Sequence, residues 1–292
     1  MQPASETMRS ISELPVRVFS AQIPSRSIAS SLTQVVQEVW TTRGVIWRLF
    51  ARDFTVHIRQ KLLGLLWAFL GPIIGAASFV FLNYAGVLNP GNLTMPYPLF
   101  LFVGMTLWGL FTSVITVISG GLLTHSDLVL RTNIPKVTLV LSGTANVLYL
   151  QLINLVILLI LFMFYGVVPS SWILMFPFMV IPLMALALGI GLVLAVIAVI
   201  ARDVTVMTTT VLNLVMFVTP VLYARPVGNA LLQRVIDANP LTYLIDGPRR
   251  LVFLGTMESV PAFALTSIFS FVVLALGIHA FYLVQDKVAE RL

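Results

Sequence analysis

Two adjacent arginines, Arg249 and Arg250, could bind an anion. A guanidinium group binds phosphate or carboxylate through two parallel hydrogen bonds. Both arginines follow Gly247-Pro248, in a segment that separates two long apolar stretches. The same pair could instead extend to the phosphates of lipid headgroups and only anchor this segment. Which role applies depends on where the segment lies.

Other reactive residue types are sparse in this chain. Cysteine is absent, which excludes disulfides, thiol nucleophiles and thiolate metal ligands. The histidines, His57, His125 and His279, lie on separate segments without an HExxH motif. We interpret each histidine as an interfacial or loop residue. The sequence therefore predicts no metal and no cofactor bound by this chain.

ATP binding can be examined through the lysines. A phosphate-binding loop of the GxxxxGK[ST] type needs glycine immediately before lysine. The lysines follow Gln60, Pro135 and Asp286 instead. Any ATP-driven activity therefore requires a partner chain.

The composition identifies the elements that position these residues. Hydrophobic residues make up 59% of the 292 residues, charged residues make up 10%, and the mean hydropathy is +1.00. Charged residues are absent between Lys61 and Asp127 and between Lys136 and Arg202. Because a charged side chain costs about 2.5–3.5 kcal/mol at the centre of a membrane helix, such gaps are typical of lipid-embedded helices. The prediction is an all-α, multi-pass membrane protein. Its net charge of +6 favours lipid headgroups over nucleic acid.

Six transmembrane helices are predicted. About 20 apolar residues in a helix cross a bilayer core, and Pro, Gly and Asn divide the longest apolar stretches. The spans are 62–88, 99–123, about 137–167, 172–201, 204–223 and 262–284. Arginine and lysine cluster before the first span, in loop 124–136, at Arg202 and after the last span. Positive charge collects on the cytoplasmic side, so both termini are predicted to be cytoplasmic.

Segment 224–261 disagrees with this rule because it carries four arginines on the predicted outer side. They are Arg225, Arg234, Arg249 and Arg250. Prolines 226, 240 and 248 interrupt the segment, and none of its apolar stretches is long enough to cross a membrane. We interpret it as a re-entrant helical hairpin before the last span, shielded by protein. An amphipathic outer loop is the alternative.

Residues 34–61 are predicted to form an amphipathic cytoplasmic interface helix. Apolar residues recur at three- and four-residue steps in 44–61, and arginines occupy another face. The residues expected at the lipid interface are Trp47, Arg48, Arg52 and Arg59. The anionic inner leaflet attracts such basic residues by up to about 1 kcal/mol each. A packed soluble helix is the alternative.

The polar residues 1–33 are interpreted as a disordered cytoplasmic tail, and 62–292 as the transmembrane domain.

The loop THSDLVLRTNIPK (124–136) follows the second span. Ser126 is the predicted N-cap of a short helix that stops before Pro135. This helix could dock on a partner, and a plain connecting loop is the alternative.

After the fourth span, Arg202 and Asp203 could anchor the helix at the headgroups or neutralise a charge near the cytoplasmic mouth of a passage.

The chain resembles the ABC-type polysaccharide-export permeases of the Wzm and KpsM type. The resemblance rests on four motifs in that family's order and spacing. They are RQKLLGLLWAFLGPI (59–73), RTNIPK (131–136), ARDVTVMTTTVLNLVMFVTPVLY (201–223) and NPLTYLIDGPRRLVFLG (239–255). The resemblance covers about residues 38–290, and the polar N-terminal tail is longer than the family minimum.

The resemblance implies a homodimeric permease in the bacterial inner membrane, working with a pair of ATP-binding cassette subunits that bind ATP and Mg. It implies export of an undecaprenyl-linked polysaccharide or a related chain of the O-antigen, capsule or teichoic-acid type. Residues 44–61 would be a gate-like interface helix, 124–135 the coupling helix, and 226–254 the paired re-entrant helices. The residues expected to couple to the ATPase are Ser126, Asp127, Arg131 and Lys136.

The candidate substrate path combines aromatic and basic side chains. Aromatic faces stack on sugars, and the candidates are Trp67, Tyr84, Trp108 and Tyr223. Membrane-interface positions are the alternative for each. Arg249 and Arg250 would line a polar exit or hold an anionic group of the substrate during release.

Two other functions compete with export. A membrane enzyme acting on polyprenyl-linked sugars would need acidic or histidine residues gathered at one membrane face, whereas the acids are scattered singly along the sequence. An ion-coupled carrier would place acids or bases at mid-membrane, and the predicted spans contain none. An ATP-driven exporter is therefore the leading prediction, with the enzyme as its alternative.

Overall fold

The computed structural model describes residues 27–59, 66–132 and 134–288, and these residues form helices without β-strands. The α-helices are α1 (Ile28–Arg59), α2 (Leu66–Tyr84), α3 (Tyr97–Thr124), α4 (Ser126–Arg131), α5 (Lys136–Ser142), α6 (Thr144–Phe164), α7 (Phe176–Ile200), α8 (Val204–Phe217), α9 (Ala230–Ala238), α10 (Pro240–Leu254) and α11 (Val260–Val288). A 3₁₀-helix, Ser171–Met175, precedes α7.

Five helical segments among the described residues are long and apolar enough to cross a membrane. They are Leu66–Tyr84, Tyr97–Thr124, Lys136–Phe164, Ser171–Ile200 and Val260–Gln285. Each corresponds to one of the predicted spans. The remaining predicted span, 204–223, differs because α8 ends at Phe217 after 14 residues. That length is about 21 Å, against roughly 30 Å for a bilayer core.

The centre of the bundle consists of α3, α7 and α11. Helix α7 packs most extensively on α11 and α3. A Cβ atom at Gly189 would lie 2.7 Å from the carbonyl oxygen of Val273 in α11. A Cβ atom at Gly191 would lie 2.8 Å from the Cβ of Ile118 in α3. Small residues bring membrane helices into such close contact, because lipid supplies no hydrophobic force between helices.

Helix α1 extends the predicted interface helix at its N-terminal end. It begins at Ile28, so residues 28–33 of the predicted tail are helical. The rest of the predicted tail, residues 1–26, lies outside the described residues, as do residues 60–65.

Polar side chains attach α1 to two of the spans. The Tyr282 hydroxyl of α11 donates to the Glu38 carboxylate at 2.6 Å. The hydroxyls of Thr42 and Thr138, in α1 and α5, lie 2.7 Å apart. Helix α1 is therefore bonded to α5 and to the C-terminal part of α11.

Helices α9 and α10 occupy the segment where a hairpin was predicted. Asn239 ends α9 and begins α10, and its side-chain oxygen accepts a hydrogen bond from the Leu241 N–H at 3.0 Å. Pro240 takes the first position of α10, where its missing N–H costs nothing. The chain leaves α10 at Gly255, whose φ of 68° favours glycine. Helix α10 packs on α7, α11 and α3 and is thereby fixed to the centre of the bundle.

Candidate functional site

Six charged side chains meet around α10. We call them the charge cluster: Arg225, Asp237, Asp246, Arg249, Arg250 and Glu258. Asp246 is its centre, because its Oδ1 accepts from Arg249 at 2.5 Å and its Oδ2 accepts from Arg250 at 2.8 Å. Arg225 reaches the same Oδ2 at 3.1 Å. Three arginines are thus balanced by three carboxylates.

The acids of this segment are scattered singly along the sequence, but they meet in the structure. The fold brings Asp237, Asp246 and Glu258 together, although they are not neighbours in the sequence. Burial alone raises the pKa of Asp246, but Arg249, Arg250 and Arg225 outweigh it and bring the pKa to about 2. Asp246 is therefore ionised at neutral pH and unsuited to act as a general acid. Within the described ranges, no group of three His, Cys, Asp or Glu residues could hold a metal ion.

Arg249 is committed to contacts inside the protein. Its Nη2 donates to the carbonyl oxygen of Pro220 at 2.9 Å, and its Nη1 donates to that of Val221 at 3.4 Å. The guanidinium carbon lies 3.6 Å from the ring centroid of Phe100 in α3. Gly104 leaves room for this arrangement, since a Cβ atom there would lie 2.6 Å from the Val221 oxygen. Arg249 therefore fastens α10 to α3 and to the chain just after α8.

The two adjacent arginines have different environments. Arg249 is 0% exposed, so neither predicted role, contact with substrate or extension to lipid phosphates, agrees with its position. The Arg250 side chain is 28% exposed and donates to Asp246 and Glu258. Of this pair, only Arg250 reaches the surface.

The sequence predicts no binding role for Arg225. It is only one of the four arginines on the predicted outer side. Its guanidinium contacts Asp237, Asp246 and Glu258 and lies 5.3 Å from the ring centroid of Tyr243. Burial lowers the pKa of Arg225, but the carboxylates, Asp246 first, outweigh burial and raise it. A signal for these pairs was present, because residues 224–261 hold three acids beside their four arginines.

Side chains also satisfy the carbonyls where α8 ends. The Tyr223 hydroxyl donates to the carbonyl oxygen of Phe217 at 2.9 Å. Asn239 donates from Nδ2 to the carbonyl oxygen of Val218 at 3.2 Å. Pro220 explains the stop itself, because a residue before proline is disfavoured in the α conformation. Tyr223 is thus turned back onto the end of α8.

The aromatic candidates occupy different environments. Trp67 and Tyr84 lie near the two ends of α2 and are 48% and 91% exposed. Trp108 is mostly buried, beside a groove of about 340 Å³ between α3 and α8. Polar side chains share the lining of this groove with Trp108: Thr112, Thr116, Thr209 and Asn213.

The short cytoplasmic helix predicted after the second span is α4. It spans Ser126–Arg131, so it ends four residues before Pro135. Ser126 is its first helical residue, whereas the predicted N-cap position belongs to His125, which makes no side-chain capping bond. Helix α4 is therefore one residue displaced from the predicted start and shorter than predicted.

The four expected coupling residues fall into two groups. Asp127 and Arg131 are exposed on α4, and Ser126 is half-buried beside them. Lys136 lies at the start of α5, where its Nζ donates to the carbonyl oxygen of Gln285 in α11. The structure thus brings Ser126, Asp127 and Arg131 together and directs Lys136 toward the last helix.

Helix α1 has an exposed face and a face packed on the bundle. Trp47, Arg48 and Arg52 are exposed, and the side chain of Arg59 lies outside the described residues. Phe54 contacts Tyr149 of α6, with ring centroids 4.7 Å apart. One face of α1 is therefore packed on the bundle, and the arginines are left at the surface.

Comparison with known proteins gives matches over most of the chain. The family model described as ABC-2 type transporter matches residues 44–253, more than half of the chain. The O-antigen export system permease protein RfbA of Myxococcus xanthus is 29% identical over 192 residues, 66% of this chain and 73% of the relative. Two proteins of that name from Klebsiella pneumoniae are 26% identical. One match covers 71% of this chain and 79% of the relative, and the other covers 82% and 92%.

Proposed function

Since this chain belongs to the ABC-2 type transporter family, we propose that it is the permease subunit of an ATP-driven exporter that moves a polysaccharide across the bacterial inner membrane. The observation that carries the proposal is similarity to O-antigen export permeases over as much as 82% of this chain. The five long apolar helices among the described residues supply the multi-pass membrane domain that such a subunit needs.

ATP and Mg, in this proposal, are bound by a separate ATP-binding cassette subunit, and two copies of each chain assemble. The sequence supports a separate ATPase because glycine precedes none of the lysines. The cytoplasmic contact is assigned to α4, where Asp127, Leu130 and Arg131 are exposed. Exposed charges of both signs can pair with complementary charges on a partner protein and orient its binding.

The proposed topology has six crossings and cytoplasmic termini. Helix α8 with residues 218–223 forms the fifth crossing, and α9 and α10 form the re-entrant hairpin at the outer side. Hydrogen bonds from Tyr223 to the last carbonyl of α8, and from Asn239 and Arg249 to carbonyls after it, support this arrangement. Non-helical backbone persists at membrane depth only where protein satisfies its polar groups.

The charge cluster also supports an outer position for residues 224–261. Three of the four arginines that oppose the positive-inside rule are paired with carboxylates. A guanidinium bonded to carboxylates of the same segment is not free to bind the anionic headgroups of the inner leaflet. The segment can therefore lie outside without inverting the remaining spans.

The polysaccharide path is proposed to include the groove between α3 and α8. Hydroxyl and amide groups of Thr112, Thr209 and Asn213 can exchange hydrogen bonds with sugar hydroxyls, and Trp108 offers a stacking face. Trp67 and Tyr84 extend the aromatic surface toward both ends of α2.

Reconstitution of the purified chain with its ATPase subunit in proteoliposomes tests the function. The vesicles would carry an undecaprenyl-linked polysaccharide, and a membrane-impermeant lectin would report its movement to the opposite leaflet. ATP-dependent movement that requires this chain is expected, with an ATPase-inactive partner as the control. Movement that continues without the ATPase, or chemical conversion of the glycan by this chain alone, would contradict the proposal.

A further inference from the structure

Arg225 and Arg250 direct two guanidinium groups at one carboxylate oxygen. Nη2 of Arg225 lies 3.1 Å from Oε2 of Glu258, and Nη2 of Arg250 lies 2.8 Å from the same atom. The arginines come from different elements, the segment after α8 and helix α10. Converging guanidinium groups are how proteins hold phosphate or carboxylate ligands. Here a side chain of the same chain fills the ligand position.

Glu258 is the member of this contact best placed to leave. It is 46% exposed, whereas the side chain of Arg225 is 6% exposed. It lies in the irregular stretch between Gly255 and the start of α11 at Val260. The carboxylate can therefore turn outward without a change in either helix.

A ligand cannot bind beside Glu258 while that side chain is in place. The adjoining cavity, lined by Tyr243, Arg250 and Ser259 among others, has room for about 10 Å³, the space of one water molecule. Outward rotation of Glu258 vacates the position between the two guanidinium groups, which an oxygen of a phosphate or carboxylate would then occupy. Occupation by Glu258 and by an external anion is therefore mutually exclusive.

Charge balance favours an anion once Glu258 has left. Three arginines would then face only Asp237 and Asp246, which leaves one unbalanced positive charge. Asp246 stays in place because its side chain is 6% exposed and bonded to Arg249. The buried Nε of Arg225 has no hydrogen-bond partner among the described residues, so a further donor is available.

We infer that Arg225 and Arg250 form an anion-binding site, that Glu258 occupies it in the resting protein, and that an anionic group of the substrate displaces Glu258. The group is a phosphate or a carboxylate. Its assignment to the substrate rests on the proposed export function, whereas the site rests on the geometry of the charge cluster. Arg249 takes no part, because its guanidinium is committed to Asp246 and to backbone carbonyls.

Inorganic pyrophosphate binding to the purified full chain tests the site. Titrations in phosphatidylcholine nanodiscs would compare the wild type with Glu258→Gln, whose neutral amide loses both ion pairs and therefore leaves the site more readily. We expect at least tenfold tighter binding by Glu258→Gln. Equal affinities in a folded variant would overturn the inference. Glu258→Asp, with a shorter carboxylate, should fall between the two, and it supplies the same comparison if the Gln variant does not fold.

Double variants identify the residues that bind. Adding Arg250→Gln to Glu258→Gln should abolish the gain in affinity. Adding Arg234→Gln should leave the gain unchanged, because Arg234 is exposed and lies outside the charge cluster. A gain that survives Arg250→Gln would overturn the assignment.

Lipid composition distinguishes the two sources of the anion. Pyrophosphate affinity of Glu258→Gln should be the same in phosphatidylglycerol and phosphatidylcholine nanodiscs if the site serves the substrate. Competition by phosphatidylglycerol would assign it to lipid headgroups and overturn the substrate assignment. Pyrophosphate binding without glycan export in proteoliposomes would refute the proposed function and leave the anion site standing. Export by a chain that never binds pyrophosphate would refute the site alone.

Discussion

Arg249 in α10 and Pro220 after α8 are joined by a buried hydrogen bond of 2.9 Å, from the guanidinium Nη2 to the carbonyl oxygen. A buried cation is stable only when a counter-ion and hydrogen-bond acceptors replace its lost hydration. Asp246 supplies the counter-ion, and the carbonyls of Pro220 and Val221 supply acceptors. The end of α8 and the position of α10 are therefore parts of one structural unit.

Replacing Arg249 should destabilise the whole protein. Arg249→Gln leaves Asp246 buried without its shortest ion pair and leaves the Pro220 carbonyl unsatisfied. Breaking a buried pair from one side costs about 3–5 kcal/mol. We expect a loss of this size in the free energy of unfolding, measured by denaturation in detergent. Arg234→Gln, at an exposed position, should change stability by less than about 0.5 kcal/mol. Similar stability of the two variants would show that Arg249 is not an anchor.

The charge cluster should tolerate mild acid. The folded pKa of Asp246 is about 2, below its ordinary value of 3.8, so folding favours the ionised form. Its contribution to stability is complete above about pH 4 and is lost as pH falls toward 2. Asp246→Asn should therefore be less stable than the wild type by a constant amount from pH 8 to 5. The difference in unfolding free energy should shrink below pH 4. A difference that already shrinks between pH 8 and 5 would contradict this pKa.

The spans were predictable because their signal is local. Lipid excludes charge from a helix, so the uncharged stretches at 66–84, 97–124, 171–200 and 260–285 mark helices long and apolar enough to cross a membrane, whatever the packing. Asn239-Pro240 likewise predicts a helix junction, because proline suits the first position of a helix and asparagine the position before it. Such features need no knowledge of distant residues.

The roles of Arg249 and Arg250 were not predictable, because they depend on distant partners. The adjacent arginines look equivalent in the sequence, yet one is enclosed by Phe100, Pro220 and Val221. Only the early end of α8 exposes those carbonyls to a donor. Equal numbers of acids and paired arginines in the segment are consistent with ion pairs but do not say which arginine is buried.

ATPase coupling should depend on α4. The purified chain should hydrolyse no ATP alone, and activity should appear when the ATPase subunit is added. Asp127→Lys or Arg131→Glu should weaken binding of the ATPase subunit, because both side chains are exposed on a short helix. Arg234→Glu is the matched charge reversal outside α4 and should leave binding unchanged. Equal affinity of all three variants in pull-down titrations would exclude α4 as the docking element.

Single-cysteine labelling tests the proposed topology, since the chain has no native cysteine. Cysteine at Asn92 or Asn229 should react with an impermeant maleimide from outside the cell, because both positions are exposed. Cysteine at Ser170 should react from the same side but more slowly, because Ser170 is half-buried and its N–H donates to the Val252 carbonyl at 2.7 Å. Cysteine at Thr132 should react only after permeabilisation. Labelling of a cysteine at Thr132 in intact cells would show that the proposed topology is inverted.

The contact between α7 and α11 should be the least tolerant of added volume. A Cβ atom at Gly277 of α11 would lie 2.9 Å from the Cα of Gly189 in α7 and closer still to its carbonyl oxygen. Both neighbours are backbone atoms, so no side chain can rotate away and the helices must separate. Overpacking of this kind costs about 1–3 kcal/mol, and we expect Gly277→Ala to lower the unfolding free energy in detergent by that amount. Gly109→Ala is the control, because a Cβ atom at Gly109 in α3 would meet nothing within 4 Å. If Gly277→Ala were as stable as Gly109→Ala, α7 and α11 would not be held in direct backbone contact.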